Sequence, residues 1–329
     1  MSNFLSLRAV FPGLSVSIIV GLAALFLSEH YGAPAMLFAL LLGIAMSFLY
    51  EDTQCQQGVE FAANHVLRFG VALLGFRIAF GDLLTLGWKT ALLLVFAIVS
   101  TITIGVVLSK ALGLNKRFGV LTGGAVGICG ASATMAISAI LPNDKHKDRD
   151  TLLTVIGVTS LSTISMVLYP VIADALGLSQ TETSIFLGGT IHDVAQVVGA
   201  GYSVSEQTGD LATLTKLVRV SFLMPVVLCI LLLLKLNLDK GIEAKSPKFP
   251  AFLIFFAIFM GLNSVFEIPA FVTQATTDVS RYALVISIAA IGMKSNLRQI
   301  LTVGVKPILL LLLETIWIAL VILLALPYL

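Results

Sequence analysis

The sequence has few charged residues and no long hydrophilic segment. Charged side chains make up 12% of the 329 residues, whereas hydrophobic side chains make up 58%, and the mean hydropathy is +1.02. A soluble globule of this size needs many more polar groups to cover its surface. The composition therefore excludes a soluble protein and predicts an integral membrane protein.

Several motifs of soluble chemistry are also missing. The three cysteines are far apart and have neither disulfide parity nor zinc-ligand spacing. The chain has no GxxxxGK[ST] loop for ATP phosphates, no HExxH and no GxSxG. The net charge of +2 is spread over loops rather than gathered in a stripe, which disfavours nucleic-acid partners. We therefore expect no cofactor, no metal and no enzymatic activity.

Long apolar runs dominate the chain and predict eleven membrane spans within one transmembrane domain, 1–329. The first run lacks a convincing signal-peptide cleavage site and is interpreted as a retained helix. The longest loop, 238–248, leaves no room for a soluble domain. The predicted spans cover roughly residues 12–29, 33–50, 58–80, 89–112, 117–141, 151–176, 180–203, 211–237, 249–267, 272–294 and 302–328.

The charge distribution favours a cytoplasmic N-terminus but leaves one exception. With this orientation the basic loops around Lys116, Lys240 and Lys294 are cytoplasmic, as the positive-inside rule prefers. The segment 144–150, DKHKDRD, would then lie outside although it contains three lysines and arginines.

A shift of 217 residues aligns two parts of the chain with each other. Ala72, Gly75, Thr85, Gly87 and Lys89 pair with identical residues at 289, 292, 302, 304 and 306. The copies lie on spans 3–4 and 10–11, so they would cross the membrane in opposite directions, as inverted repeats of transporters do. The register is awkward, because two successive five-helix repeats after a first helix would pair span 3 with span 8.

The fifth span is unusually rich in glycine. Four glycines lie within eight positions, at 123, 124, 127 and 130, and each costs roughly 1 kcal/mol relative to alanine in a helix. This predicts a broken helix whose second half begins near Ser132 and whose exposed amides hold an anion. Close helix packing through GxxxG is the alternative interpretation. The substrate-binding candidates here are Gly127, Gly130, Ser132 and Thr134.

The seventh span, FLGGTIHDVAQVVGAGY, places polar groups at membrane depth. On a helix that starts near Thr190, the side chains of His192, Asp193 and Gln196 share roughly one face. An ionisable group in a span costs at least about 2.5 kcal/mol and usually faces the protein interior. We predict that Thr190 binds substrate and that the other three couple an ion to transport, with a hydrated surface loop as the alternative.

Three further charged residues lie within apolar spans. Arg68 and Arg219 are candidates for binding an anion, and Glu314 is a candidate for carrying a coupling ion. For Arg219 an interfacial position is the alternative, and for Glu314 a neutral structural role. Arg77 is nine residues from Arg68 and thus on the opposite helix face, where it is predicted to reach a lipid headgroup.

Four segments together resemble the YeiH-like family of bacterial inner-membrane proteins, whose members are proposed sulfate exporters. They are LRFGVALLGFRI (67–78), GGAVGICGASATMAISAI (123–140), GGTIHDVAQVVGAG (188–201) and TKLVRVSFLMPV (215–226). The family is distantly similar to the bile-acid symporter and cation–proton antiporter folds. The resemblance implies an all-α polytopic membrane protein with about 10–11 transmembrane helices, inverted repeats and discontinuous helices. It also implies that GICGASAT crosses a partner helix, with the tenth span near 289–292 as one candidate.

These observations predict a secondary carrier of a small anion, with sulfate or a sulfonate first, coupled to a proton or sodium gradient. Membrane lipid is the other expected partner, and a homo-oligomer is left open. A proton- or sodium-coupled cation antiporter is the first alternative, and it would rely on Asp193 and Glu314. An intramembrane enzyme that uses His192 is the second.

Overall fold

The computed structural model describes residues 2–51, 53–142, 146–237, 251–266, 268–295 and 303–329. Every secondary-structure element within these ranges is helical. Six of the described helices are long and apolar enough to cross a membrane: Ala9–Tyr31, Gln54–Phe76, Leu86–Ala111, Lys147–Ala175, Glu206–Leu233 and Val305–Tyr328. The chain is an all-α polytopic membrane protein, as the sequence predicts. The predicted loop 238–248 lies outside the described residues.

The helices follow the predicted spans closely, but several spans are divided into shorter pieces. The first part of the chain forms α1 (Ser2–Tyr31), α2 (Ala35–Ala45), α3 (Phe48–Glu51), α4 (Thr53–Phe61), a π-helical turn (Ala62–Val66), α5 (Leu67–Leu73) and a 3-10 turn (Leu74–Phe76). The middle forms α6 (Phe80–Ala111), α7 (Lys116–Gly127), α8 (Ala131–Ile140), α9 (Lys147–Ala175), α10 (Gln180–Thr190) and α11 (Val194–Val204). The last part forms α12 (Glu206–Ser221), α13 (Leu223–Asn237), α14 (Ala251–Val265), α15 (Ala270–Lys294), α16 (Val305–Ala325) and a 3-10 turn (Leu326–Tyr328).

The chain divides into two compact units. Unit 1 comprises Met1–Thr85, Ala195–Leu211 and Pro250–Asn296, and unit 2 comprises Leu86–Val194, Ala212–Phe249 and Leu297–Leu329. In unit 1, α2 and α15 cross so closely that a Cβ on Gly292 would lie 2.5 Å from the carbonyl oxygen of Leu40. The tenth predicted span is thus the continuous helix α15, and its glycine serves helix packing. The described helix α15 has no break near 289–292, the region that the resemblance gave as one candidate partner of GICGASAT.

The fifth predicted span is broken at the expected place, but its two halves fold back on each other. The side chain of Ile137 on α8 packs against Gly124 on α7, and the start of α7 and the end of α8 line one cavity through Phe118 and Leu141. Gly130 turns the chain with φ 61° and ψ −122°, the first central position of a type II′ turn, which favours glycine. The helices α7 and α8 therefore form a re-entrant hairpin, which lipid tolerates only when protein surrounds the exposed backbone.

The seventh predicted span is also broken, between α10 and α11. Within unit 2, Gly188 packs against Ala212 and Thr215, whereas the carbonyl of Ile191 accepts hydrogen bonds from residues 216 and 219. The helix α10 therefore runs in the same direction as its neighbour α12. Because parallel neighbours require the chain to return between them, the chain turns back after α10, which begins a second re-entrant hairpin.

The first hairpin removes the exception to the positive-inside rule. Arg117 and Lys147 line the same cavity at its mouth, so the described residues 146–150 lie on the face where α7 begins. Lys306 lies there too, 3.7 Å from the position of a Cβ on Gly113. We call this side of unit 2, with Lys110, Lys116, Arg117, Lys147, Arg149 and Lys306, the basic face. The sequence-based prediction places 144–150 on the opposite side because it treats 117–141 as a complete crossing of the membrane.

The 217-residue repeat has a structural counterpart in unit 2. Gly87 has φ 72° and ψ 157°, and its aligned partner Gly304 has φ 91° and ψ 152°. The long helices that follow are antiparallel, because Lys89 at the start of one binds the carbonyl oxygen of Leu329 at the end of the other.

Candidate functional site

The tips of the two hairpins meet in the interior of unit 2. A Cβ on Gly130 would lie 3.7 Å from the Cβ of His192. The ammonium group of Lys216 bridges the tips, because its Nζ donates to the carbonyl oxygens of Ile128 at 2.7 Å and Ile191 at 2.8 Å. One side chain of α12 thus holds the C-terminal ends of both α7 and α10.

Arg219, one helical turn later on α12, binds the same ends. Its Nε donates to the carbonyl oxygen of Gly127 at 2.7 Å and its Nη1 to that of Ile191 at 3.1 Å, while Nη2 donates to that of Val126. The last carbonyls of a helix lack partners within the helix and carry partial negative charge. The guanidinium supplies those partners, so Arg219 lies at depth rather than at an interface.

The two cations form a buried positive cluster. Residues three apart on a helix share a face, and both Lys216 and Arg219 have 0% of their surface exposed. Within the described residues neither side chain forms an ion pair with a carboxylate. Asp193 and Cys129 are close enough to interact electrostatically with Lys216. With both cations charged and Asp193 ionised, the cluster has a net charge of +1.

The start of α8 lies beside this cluster. Its N-cap residue, Gly130, provides no side-chain hydrogen bond, and the first amides of a helix have no partner within it. Ser132 is exposed and free to orient its hydroxyl toward a ligand. Thr134 is buried and donates to the carbonyl oxygen of Gly130 at 2.9 Å, so this hydroxyl stabilises the tip. The predicted anion candidates of the fifth span are therefore together at the tip, with Ser132 the accessible hydroxyl.

The polar residues of the second hairpin have different partners. Thr190 donates to the carbonyl oxygen of Phe186 at 2.5 Å, His192 Nε2 lies 2.9 Å from Thr315 Oγ1, and the amide of Asp193 donates to Ser162 Oγ at 3.1 Å. Gln196 follows on α11, in the part of the chain that belongs to unit 1. Its side chain is 2% exposed, and its Oε1 has no partner among the described residues.

Glu314 lies elsewhere in unit 2, where α6, α7 and α16 pack closely. Its Oε1 accepts a hydrogen bond from Thr122 Oγ1 at 2.8 Å, and its Oε2 has no hydrogen-bond partner within the described ranges. A Cβ on Gly105 would meet the carboxyl group, so glycine at this position makes room for it. The surroundings fit both a neutral structural glutamate and a proton carrier.

The two arginines of the third predicted span lie in unit 1. Arg68 is exposed on α5. Arg77 Nη2 lies 3.1 Å from Glu206 Oε2, and its Nε lies 2.8 Å from Asp210 Oδ2. The prediction that Arg77 reaches a lipid headgroup is wrong, because the carboxylates of α12 provide its partners. Helical spacing within the third span carries no signal for partners 129 residues away.

Sequence reasoning missed Lys216, although the run that contains it was noted. The signal was present: Lys216 and Arg219 are three apart in TKLVRVSFLMPV, so an apolar helix that buries one tends to bury the other. Only the arginine was singled out as an anion ligand. In the structure both side chains bind backbone carbonyls.

Comparison with known proteins identifies close relatives over nearly the whole chain. Residues 12–311 match the family model described as conserved hypothetical protein 698. A UPF0324 membrane protein of Chlorobaculum tepidum is 53% identical over 95% of this chain and 88% of its own length. A relative from Rhizobium meliloti is 51% identical over 97% and 93%, and the UPF0324 membrane protein TauZ of Paracoccus denitrificans is 49% identical over 95% and 94%. No solved structure matches the chain.

Proposed function

Because the chain belongs to the conserved hypothetical protein 698 family, as the YeiH-like resemblance predicted, we propose that it is a secondary carrier of a small anion, sulfate or a sulfonate first. The observation that carries the proposal is the pair of cations, Lys216 and Arg219, buried where two re-entrant hairpins meet. The location that we propose is the bacterial inner membrane, with the basic face of unit 2 cytoplasmic.

The chemistry of the cluster favours an anion over a cation. A cation entering it would meet the buried charge of Arg219 and, when it is protonated, that of Lys216, whereas an anion offsets these charges and lies near the amides at the start of α8. A dianion in a site of low dielectric constant needs several charge-assisted hydrogen bonds. Ser132 and the first amides of α8 are suitable donors. Arg219 contributes its charge while its hydrogen bonds hold the tips in position.

The hairpins provide a physical basis for access from two sides. The helix α7 enters unit 2 from the basic face, because its first residues share a cavity there with the start of α9. The helix α10 follows α9 after a short turn and thus enters from the other face. Movement of one hairpin would therefore open the cluster toward one side of the membrane, as alternating access requires.

The cavity on the basic face suits an anion that approaches from the cytoplasm. It is lined by Arg117 and Lys147 together with the polar side chains of Asn115, Ser138 and Thr151. Asp150 is the one carboxylate among its lining residues. The local excess of positive charge would concentrate small anions at the mouth of the first hairpin.

Uptake into proteoliposomes tests the proposal. The purified full-length protein should take up labelled sulfate faster than protein-free liposomes, and a gradient of protons or sodium should increase the rate. An excess of an unlabelled sulfonate should compete. Uptake equal to that of protein-free liposomes under all gradients would contradict the proposal. Movement of sodium or potassium against protons, without sulfate uptake, would support the cation antiporter instead.

A further inference from the structure

Lys216 has a hydrogen-bonding environment that suits an uncharged amine. The described residues provide two acceptors for its Nζ, the carbonyl oxygens of Ile128 and Ile191. A protonated lysine has three N–H donors, whereas the neutral amine has two. Both donors of a neutral Lys216 are thus satisfied, and its lone pair is free to accept a proton.

The charges around Lys216 balance without it. The titratable or charged groups that face it are Arg219 on its own helix, Cys129 at the first hairpin tip, and His192 and Asp193 at the second. With Lys216 uncharged, the charges of Arg219 and an ionised Asp193 sum to zero, and Asp193 is the carboxylate that acts on Lys216. A charge on Lys216 therefore leaves the buried cluster with an excess of +1, which is costly at this depth unless an anion is present.

We propose that Lys216 carries the proton that accompanies the transported anion. This inference rests on the proposed function and names the coupling ion and its site. The amine takes a proton from water on the loading side, and the new ammonium charge compensates the anion. On the other side the anion leaves and Lys216 returns the proton to water. Proton and anion thus bind together, because each lowers the electrostatic cost of burying the other.

The exposed Lys89 provides a matched comparison in the same unit. Its Nζ also donates to two carbonyl oxygens, those of Tyr328 and Leu329, both at 3.2 Å, but in an exposed position. Water can satisfy a third donor there, so its charge does not depend on a bound anion. Lys89 therefore has the same kind of hydrogen-bond partners as Lys216. It lacks the burial that makes protonation of Lys216 depend on a bound anion.

Proton uptake on sulfate binding tests the proposal directly. In a weakly buffered detergent solution with a pH indicator, sulfate added to the wild-type protein should cause uptake of about one proton per bound sulfate.

Lys216→Arg has a permanent charge and should bind sulfate without proton uptake, with an affinity that changes less than twofold between pH 6 and pH 8. In the wild type the affinity should fall about tenfold or more over this range, because one bound proton is linked to each anion. Lys89→Arg should behave as the wild type does.

Further variants keep the test decisive. Lys216→Gln is neutral and retains two donors for the two carbonyls, so a loss of sulfate affinity of tenfold or more is expected even if the arginine variant does not fold. Glu314→Gln removes a rival proton site that lies apart from the cluster and should retain proton uptake. If this variant abolishes the uptake, or if a folded Lys216→Arg retains it, the assignment to Lys216 is overturned while anion transport stands. Absence of sulfate binding in the wild type would overturn the proposed function and this inference with it.

Discussion

The two ends of α12 bind cationic side chains in opposite ways. Near its start, Glu206 and Asp210 surround Arg77 with two carboxylates, and Tyr202 donates to Asp210 at 2.5 Å. Near its end, the cations belong to α12 itself, and their hydrogen-bond partners are backbone carbonyls of two hairpin tips. The first cluster lies in unit 1 and the second in unit 2.

The difference separates a cation that carboxylates compensate from cations whose hydrogen-bond partners are carbonyl dipoles. In unit 1 the two carboxylates more than offset the charge of Arg77, and part of the cluster is exposed, so it does not favour an anion. In unit 2 carbonyl oxygens satisfy the donors but provide only partial negative charge. A buried cation with such partners is well positioned yet poorly neutralised. Hydrogen-bond satisfaction and charge compensation are therefore distinct properties, and only the second distinguishes an anion site from a structural ion pair.

Removing Arg219 should have the largest effect. Arg219→Gln leaves at least one buried carbonyl at the tips unpaired and removes a charge from the cluster. We expect a loss of roughly 1–3 kcal/mol of stability for each buried carbonyl left without a donor, and a loss of sulfate uptake of more than tenfold. Thermal unfolding in detergent and proteoliposome uptake measure the two effects.

Arg77→Gln is the control that tests whether the clusters at the two ends of α12 differ in function. It also removes an arginine that contacts α12, but the Arg77 side chain is 26% exposed and Asp210 keeps its bond to Tyr202. We expect a loss of about 1 kcal/mol, since a partly exposed ion pair contributes little, and sulfate uptake within twofold of the wild type. If both variants abolish uptake equally, the distinction between the two clusters is wrong.

The sequence predicted the positions of the breaks better than their consequences. The glycines before Ser132 marked the first tip, whereas the helix that was expected to start near Thr190 and to carry His192 and Asp193 on one face ends at Thr190 and leaves both residues in the break. Neither pattern could show that the chain turns back, because a helix that crosses the bilayer and a hairpin that returns have the same apolar composition. The mouth cavity lined by Arg117 and Lys147 shows it.

The long-range hydrogen-bond partners could not be predicted from the sequence either. The carbonyl oxygens that bind Arg219 belong to residues 28 to 93 positions away along the chain, and backbone atoms leave no trace in side-chain patterns. The sequence thus identified Arg219 as a charge at depth but not what it binds. Lys216 was overlooked for the same reason, since its role depends on two carbonyls rather than on a motif.

Replacing Gly130 should have an intermediate effect, and it tests whether backbone conformation limits the residue at the hairpin tip. A Cβ there would have ordinary contact distances of 3.7 Å, but φ is +61°, so Gly130→Ala should destabilise the protein by about 1–3 kcal/mol through backbone strain alone. Gly127→Ala is the matched control. Its Cβ would also have ordinary contacts, from 3.5 Å, without a positive φ, so its unfolding temperature should be close to that of the wild type. Equal destabilisation of both variants would show that space rather than backbone conformation limits the tip.

Arg68→Gln should have the smallest effect. The sequence assigned Arg68 and Arg219 to the same anion site, yet Arg68 is exposed in unit 1, whereas Arg219 is fully buried in unit 2. Exposed substitutions usually change stability by less than about 0.5 kcal/mol, and sulfate uptake should fall by less than twofold. Uptake rates at several sulfate concentrations, beside those of Arg219→Gln, measure the contrast. A tenfold loss for Arg68→Gln would mean that an exposed charge also acts on the anion, and burial against carbonyls would then no longer be the property that defines the site.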